Sequence, residues 1–395
     1  MSKDNKYIPS GYKPSPLGPI PEDWEVKRLG EICTHFKSGI TITSKDIHED
    51  GLYPVYGGNG LRGYANTFTH DGSYILIGRQ GALCGNVNYV DGKNYISEHA
   101  IAVQTNENMQ WLKYKLENWN LNRFSESSAQ PGLSAEKLVR YKLSVPTLKE
   151  QNKIADILSL WDTAIAKQTA LIEKLTLRKR GLMQQLLTGK KRLKGFGGEW
   201  ENCTYSNILS EVKRTLIWDE DELYKLISVR RRSEGLFFRE SLYGREIATK
   251  NLRPAKTGDF LISKMQIVHG ASGLVTEEFD DAKISGSYIS LVSKNSDVLD
   301  IKYFNLWSQT PIFYHQTFVS SFGVHIEKMT FDFDTFMSFS MPLPPIKEQH
   351  AIVSLMDSIN KEIELANKKL ARLQEEKKGL MQVLLTGKKR IINKI

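Results

Sequence analysis

The stretch GLMQQLLTGKKR, at Gly181–Arg192, returns as GLMQVLLTGKKR at Gly379–Arg390, with one substitution between the two copies. Upstream of each copy stands the triplet Lys-Glu-Gln, at 149–151 and at 347–349, and the same shift of 198 residues relates both landmarks. Solenoid arrays repeat about every 20 to 50 residues, so a single repeat of this length indicates a duplicated domain-plus-helix unit. The sequence therefore predicts two similarly folded halves.

A heptad pattern fills the segment between the two landmarks in each copy. Mostly apolar residues alternate four and three positions apart, which is typical of a helix that packs along one stripe. The first copy carries the pattern at Ile154, Leu158, Trp161, Ile165, Gln168, Ile172, Leu175, Lys179 and Leu182, and the second at Ile352, Met356, Ile359, Ile363, Ala366, Leu370, Leu373, Lys377 and Leu380. Prolines precede each predicted helix and a Thr-Gly pair ends it, as start and stop signals do. We predict that the two helices pack as an antiparallel coiled coil with pseudo-twofold symmetry.

Two segments that do not visibly match, about 19–145 and 196–343, precede these helices. Short apolar strands separated by turns, with a helical pattern in each segment, predict an α+β protein with two mixed α/β domains. The predicted strands are Tyr74–Ile77, Ala100–Val103, Leu143–Val145, Tyr224–Val229, Phe260–Ile262, Tyr288–Val292 and Phe339–Leu343, and the predicted helices lie near Trp111–Trp119 and Lys302–Gln309. We divide the chain into a first domain at 1–146, a first helix at 147–192, a second domain at 193–344 and a second helix at 345–395.

The composition favours a polyanionic partner. The 395 residues carry a formal net charge of +9, which suits nucleic acid first and an anionic membrane second. No run approaches the roughly 20 apolar residues of a membrane span, and the N-terminal sequence is too polar for a signal peptide, so a cytoplasmic location is expected. Cys33, Cys84 and Cys203 form no zinc-ligand or disulfide pattern, and we expect neither a metal nor a cofactor.

Repeated twice in this order, these elements resemble the specificity subunit of a type I restriction-modification enzyme. The resemblance rests on Pro146–Gln151 with Pro344–Gln349, on the two copies of LLTGKKR, and on the entries Ile20–Glu25 and Phe196–Trp200. It covers essentially the whole chain. It implies two target recognition domains that each read one half of a split site in double-stranded DNA, with the helices as spacers that set the distance between the halves.

The resemblance also implies partners that carry out the chemistry. Two modification subunits methylate adenine with S-adenosylmethionine, and restriction subunits, which join through the modification subunits, add ATP-driven translocation and cleavage. The sequence has no GxxxxGK[ST] phosphate loop and no Asn/Asp-Pro-Pro-aromatic methyltransferase motif, so we expect a noncatalytic subunit. The alternatives are a coiled-coil scaffold whose variable heads bind proteins and a stand-alone methyltransferase or nuclease.

Polar and basic residues at turns of the first domain are candidate DNA contacts. Tyr56, Asn59 and Arg62 lie in the turn-rich sequence YGGNGLRGY. The Asn59 amide suits bidentate pairing with adenine and Arg62 suits a phosphate, while a purely structural Gly-Asn turn is an equal alternative for Asn59. Arg79 and Gln80 emerge at the end of the next predicted strand, where they could reach a DNA groove or form a surface salt bridge.

In the second domain, the candidate contacts are basic. Arg230, Arg231 and Arg232 follow a predicted strand, and three adjacent arginines cannot all pair internally at a surface. This favours neutralisation of DNA phosphates over a solvated face. Lys264, after the next predicted strand, is a further candidate.

Two polar loops ahead of the next elements also suggest DNA contacts. Gln130, in SSAQPG, and His325, in SSFGVH, occupy similar places in the two domains. The basic ends of the repeat could touch phosphate or simply solubilise the helix ends, and residue types do not separate these alternatives. The residues concerned are Lys190, Lys191, Arg192, Lys388, Lys389 and Arg390.

Overall fold

The computed structural model describes residues 8–81, 83–125, 132–323, 325 and 329–391. The chain forms two compact units that do not follow its linear order. Unit 1 consists of Met1–Ala170 with Lys368–Ile395, and unit 2 consists of Leu171–Asn367. Each unit therefore contains the first part of one long helix and the last part of the other. Within the described ranges, no helix is both long enough and apolar enough to cross a bilayer.

The first half of the chain leads from short strands and helices into a long helix. Its strands are β1 (Tyr12–Lys13), β2 (Ile20–Pro21), β3 (Glu25–Arg28), β4 (Cys33–Ser38), β5 (Tyr53–Gly57), β6 (Gly60–Ala65), β7 (Tyr74–Gly78), β8 (Val87–Val90), β9 (Tyr95–Ile96), β10 (Ala100–Thr105) and β11 (Lys142–Val145). Its helices are α1 (Leu29–Ile32), α2 (Met109–Asn118), α3 (Ala135–Leu138) and α4 (Leu148–Leu186). The predicted strands of this half, and its predicted helix near Trp111, are confirmed.

The second half repeats the plan with more strands. They are β12 (Glu201–Thr204), β13 (Leu209–Glu211), β14 (Leu223–Val229), β15 (Leu236–Tyr243), β16 (Leu252–Pro254), β17 (Phe260–Ser263), β18 (Ser272–Leu274), β19 (Lys283–Ser285), β20 (Tyr288–Ser293), β21 (Ser321–Phe322), β22 (Thr330–Phe331) and β23 (Ser340–Leu343). The helices are α5 (Tyr205–Ile208), α6 (Ile301–Trp307), α7 (Pro311–Val319), α8 (Phe333–Ser338) and α9 (Ile346–Leu384). The predicted strands are confirmed here too, with Phe339 outside β23.

The described residues of unit 1 form two larger sheets besides the two-stranded pairs β1-β2 and β11-β3. Four antiparallel strands form the order β4-β10-β7-β8, and a smaller sheet has the order β6-β5-β9, in which β5 runs parallel to β9. Alternate side chains of a strand point to opposite faces. Ile101 and Val103 of β10 therefore join the core around Trp111, while Ala100 and Ala102 join a separate apolar cluster. Because both faces are covered, β7 and β10 are continuous apolar runs.

Unit 2 has the same strand plan although its sequence does not visibly match. Its antiparallel sheet has the order β13-β20-β17-β18, and its second sheet has the order β15-β14-β19-β16, in which β14 runs parallel to β19. The hairpin of β5 and β6 thus corresponds to the longer hairpin of β14 and β15. The unmatched segments share this arrangement of strands, to which unit 2 adds β16 at the edge of its second sheet, and they differ in hairpin length and side chains.

The heptad stripe of each long helix is buried or half-buried at every position predicted above. In unit 1, Ile154 and Leu158 near the start of α4 share a core with Met381 and Leu384 near the end of α9. In unit 2, Leu186 at the end of α4 shares a core with residues at the start of α9. In each unit, the start of one long helix packs against the end of the other. The predicted antiparallel packing is therefore confirmed within each unit.

A buried carboxylate joins the two helix ends in unit 1. Glu150, in the first turn of α4, is 5% exposed. Arg390 donates to both of its oxygens, from Nε and from Nη2, at 2.8 Å each, and the Trp24 indole donates to Oε2 at 2.8 Å. We call Trp24, Glu150 and Arg390 junction 1. Burial lowers the pKa of Arg390, but its bonds to Glu150 and Asp23 raise it more, so the net pKa lies above the ordinary value.

Unit 2 contains the equivalent junction 2. Glu348, in the first turn of α9, is fully buried. Arg192 donates from Nε to Oε1 at 2.6 Å and from Nη2 to Oε2 at 2.5 Å, and Trp200 donates to Oε2 at 3.2 Å. These bonds raise the pKa of Arg192. The alternative of a phosphate contact or a mere solubilising role is thus wrong for Arg192 and Arg390, because both guanidiniums are bound to carboxylates of the protein.

The glutamine beside each buried glutamate fixes the helix start to its recognition segment. The Gln151 side chain accepts from the backbone amide of Asn108 at 2.9 Å and donates to the Pro146 carbonyl at 2.9 Å. Gln349 accepts from the Asp300 amide at 2.9 Å and donates to the Pro344 carbonyl at 2.8 Å. Asn108 and Asp300 are the N-cap residues of α2 and α6. The Lys-Glu-Gln landmark therefore ties each long helix to a helix of the preceding domain.

The junctions predict that substituting the arginine after one long helix destabilises the unit in which the other long helix begins. Arg390→Met leaves Glu150 buried without its cation, which costs about 3–5 kcal/mol. We expect amide exchange to speed up in unit 1, including its N-terminal strands, and to stay unchanged in unit 2.

The matched variant Arg192→Met should have the opposite distribution, with faster exchange in unit 2. Hydrogen-exchange mass spectrometry of the full chain measures both. If each variant instead loosened the domain that precedes its own helix, the crossed pairing would be disproved.

Candidate nucleic-acid interface

In unit 1, the turn between β5 and β6 lies against the loop that follows β7. A Cβ atom on Gly58, in the turn, would stand 2.9 Å from the His99 carbonyl oxygen and 3.3 Å from Gly78 Cα. The Arg79 amide donates to the same His99 carbonyl at 2.9 Å. Residues 58–62, 79–81 and 97–99, together with Ser38, form one surface, which we call interface 1. Gly58 is needed there for close packing of two loops.

Interface 1 brings together most candidate contacts of the first domain. Asn59, Arg62 and Gln80 are exposed, and Arg79 is half-buried. Tyr56 differs, because its ring packs against the apolar cluster that contains Tyr74, so part of it belongs to the core.

Two residues of interface 1, Ser38 and His99, were not predicted from the sequence. Arg79 donates from Nη1 to Ser38 Oγ at 3.3 Å, and Gln80 Oε1 lies 3.0 Å from His99 Nδ1. Ser38 ends β4, and His99 lies between β9 and β10. Their only sequence signal is a polar side chain at a strand end, which many residues share.

Unit 2 has a corresponding surface. The turn between β14 and β15 carries Arg230–Arg232, and the Arg232 amide donates to the His269 carbonyl at 2.7 Å. Lys264, which follows β17, donates its amide to the Ser287 carbonyl at 3.0 Å, as Arg79 does to His99 in unit 1. We call residues 230–235, 264–270 and 287 interface 2. The turn with Asn59, predicted to read a base, and the turn with Arg230–Arg232, predicted to contact phosphates, therefore occupy equivalent places in the two units.

The arginines of interface 2 are open to solvent. Arg230, Arg231 and Arg232 are all exposed, and the Arg230 guanidinium lies over the Phe237 ring, 4.9 Å from its centroid. Among the described residues, none forms an ion pair with Arg230 or Arg232. Arg232 has φ 60°, a left-handed conformation that shapes the turn.

The two remaining candidates are Gln130 and His325. Gln130 is outside the described residues. Two residues further along the chain, Gly132 pairs with Gln80 in an isolated antiparallel β-bridge, and the Leu133 amide donates to the Arg79 carbonyl at 2.9 Å. Residues 132 and 133 therefore contact interface 1. His325 is exposed on a bend after β21.

Two further observations bear on chemistry. The described part of the chain contains no group of three or more His, Cys, Asp or Glu side chains that could hold a metal. Burial raises the pKa of the Cys33 thiol to about 12, which keeps it protonated at neutral pH.

Comparison with known proteins matches both halves to one family. The family description is type I restriction modification DNA specificity domain, and it matches residues 21–177 and 221–375. The chain therefore belongs to this family: it is a specificity subunit of a type I restriction-modification system with two recognition domains.

Individual relatives agree with this assignment. A 143-residue stretch is 45% identical to the type I restriction enzyme EcoprrI specificity subunit of Escherichia coli, but it covers only 35% of this chain and 35% of that protein. The MjaVIII specificity subunit of Methanocaldococcus jannaschii is 23% identical over 415 residues, 95% of each chain. The crystal structure of the S subunit from M. genitalium has a TM-score of 0.60 at 13% identity, covering 92% of this chain and 96% of that one. This last likeness supports the fold.

The contact between the two loops of interface 1 can be tested by Gly58→Ala. The added Cβ would collide with the His99 carbonyl, which is also the partner of the Arg79 amide. We expect the Arg79 amide to exchange roughly 5- to 30-fold faster, equivalent to about 1–2 kcal/mol. Gly197→Ala, where a Cβ meets nothing within 4 Å, is the control. Unchanged exchange at Arg79, measured by NMR or mass spectrometry, would contradict the packing described.

Proposed function

We propose that the chain is a noncatalytic subunit that reads a bipartite site in double-stranded DNA, with one recognition domain for each half. The observation that carries the proposal is the equivalence of interfaces 1 and 2. Each presents an exposed turn beside the residue that follows a buried strand, which is Arg79 in unit 1 and Lys264 in unit 2. Two surfaces of one construction suit a site with two halves, and their different side chains suit two different half-site sequences.

The residue types suit direct readout together with backbone contact. The Asn59 and Gln80 amides each offer a donor and an acceptor, which matches the N6 and N7 edge of adenine in the major groove. Arg62 and Arg79 suit guanine or phosphate, and exposed arginines of interface 2 suit phosphates. The proposed contacts are Tyr56, Asn59, Arg62, Arg79, Gln80, Gln130, Arg230, Arg231, Arg232, Lys264 and His325.

The chemistry is assigned to partner proteins in this proposal. Two modification subunits bind this chain and methylate adenine, and restriction subunits join through them. A structure solved to explain complex assembly and conformational transition of a type I restriction-modification system has a TM-score of 0.57 and 15% identity, covering 93% of this chain and 99% of that one. The similar fold suits a role in such an assembly.

The proposal keeps the division made from the sequence. The target recognition domains are 1–146 and 193–344, and the spacer helices are 147–192 and 345–395. The complex acts in the cytoplasm, where the DNA of the cell is accessible. The net charge of +9 supports binding to a polyanion.

Mapping methylated adenines in DNA from cells that carry this chain with its modification subunits tests the proposal. We expect one split motif, with two defined halves separated by a fixed number of unread base pairs. Cells with the modification subunits alone are the control and should lack that motif. A contiguous motif, or the same methylation without this chain, would refute the proposal.

A further inference from the structure

The two equivalent hairpins differ sharply in charge. The hairpin Leu223–Tyr243 of unit 2 contains five Lys or Arg residues and two Asp or Glu residues. The hairpin Tyr53–Ala65 of unit 1 contains one arginine and no acidic residue. Because they occupy equivalent places in the fold, a common structural requirement does not explain the difference. Of these two hairpins, the one in unit 2 therefore carries most of the positive charge.

Interface 2 is arranged to keep its cations available. Arg230 and Arg232 are exposed and have no ion-pair partner among the residues that the structure describes. Stacking on Phe237 holds the Arg230 guanidinium at the surface without neutralising it. Other arginines of the same unit are paired with carboxylates. Arg245 Nη1 lies 2.5 Å from Asp221 Oδ1, and Arg214 forms an ion pair with Asp259.

Interface 1 offers mainly uncharged groups. Asn59 stands exposed at the tip of the turn, next to Gly60 with φ 99°. Gln80 is oriented by His99, and the Arg79 guanidinium donates to Ser38 Oγ, so both side chains are held in place before DNA arrives. An amide can discriminate between base edges, whereas an exposed cation attracts any phosphate.

We propose that the two units divide the work of binding unequally. Arg230 and Arg232 of unit 2 supply most of the sequence-independent attraction to phosphates, and Asn59 and Gln80 of unit 1 supply base discrimination with little electrostatic attraction. This inference rests on the proposed function. Each neutralised phosphate releases counterions and adds about 0.9 to the slope of log affinity against log salt. The division is therefore measurable as a slope.

The experiment uses the complex of the full chain with its modification subunits. Two fluorescent duplexes are compared over about 50 to 200 mM salt. One carries the site mapped by methylation, and the other has both half-sites scrambled. The slope and the affinity ratio of the two duplexes are measured for each variant.

The double variant Arg230→Ala with Arg232→Ala should lower the slope by about two, with affinity lost equally for both duplexes. The same change at Arg62 and Arg79 should lower it by at most about one, because Ser38 holds Arg79. Arg245→Ala, an exposed arginine already paired with Asp221, is the control and should leave the slope unchanged.

The complementary variant tests base discrimination. Asn59→Ala with Gln80→Ala should keep the slope but lower the preference for the mapped site by roughly ten-fold or more. Equal slope changes for the arginine pairs of the two units, or a preference unaffected by the amide variant, would overturn the unequal division. If the unsubstituted complex showed no preference for the mapped duplex, the proposed function itself would fail.

Discussion

Two buried carboxylates, Glu150 and Glu348, impose the constraint on which the architecture depends. A carboxylate with 5% exposure or less is stable only with a cation and further hydrogen bonds. In both units the cation comes from the other copy of the repeat, at the far end of the other long helix. Both helices span 39 residues, and each supplies its start to one unit and its end to the other.

This constraint separates the residues that build the scaffold from those that are free to vary. The identical landmarks of the repeat form the junctions, and the buried strands maintain one topology in both units. The turns between β5 and β6 and between β14 and β15 project from that common frame. Their side chains bear little on the core, so one turn carries an asparagine between glycines and the other carries three arginines.

Periodicity predicted the elements that bury apolar surface. The heptad stripes and the buried strands, such as Ala100–Val103 and Phe260–Ile262, have patterns set by burial, and burial is visible in sequence. The short strands β5 and β6 were missed because glycines and a proline interrupt their apolar residues. The equivalence of the two turns was missed because nothing in the core fixes their sequence.

The crossed junctions were hidden for a different reason. The residue types at the helix ends did not show that Arg192 and Arg390 bind the buried glutamates. Antiparallel packing itself excludes a bond between Glu150 and Arg192, because the 39-residue helix holds its two ends more than about 50 Å apart. Ser38 and His99 were hidden because only the fold brings these strand ends together. The candidate site was therefore found in part: its turns and strand-end residues were predicted, but their neighbours were not.

The most direct measurement of the crossed architecture is a double-mutant cycle on the full chain. Glu150→Gln is combined with Arg390→Met in one cycle and with Arg192→Met in another, and the free energy of opening unit 1 is followed by amide exchange. The structure predicts a coupling of about 2–3 kcal/mol for Glu150 with Arg390 and additivity within about 0.5 kcal/mol for Glu150 with Arg192. Additivity of Glu150 with Arg390 would contradict the crossed architecture.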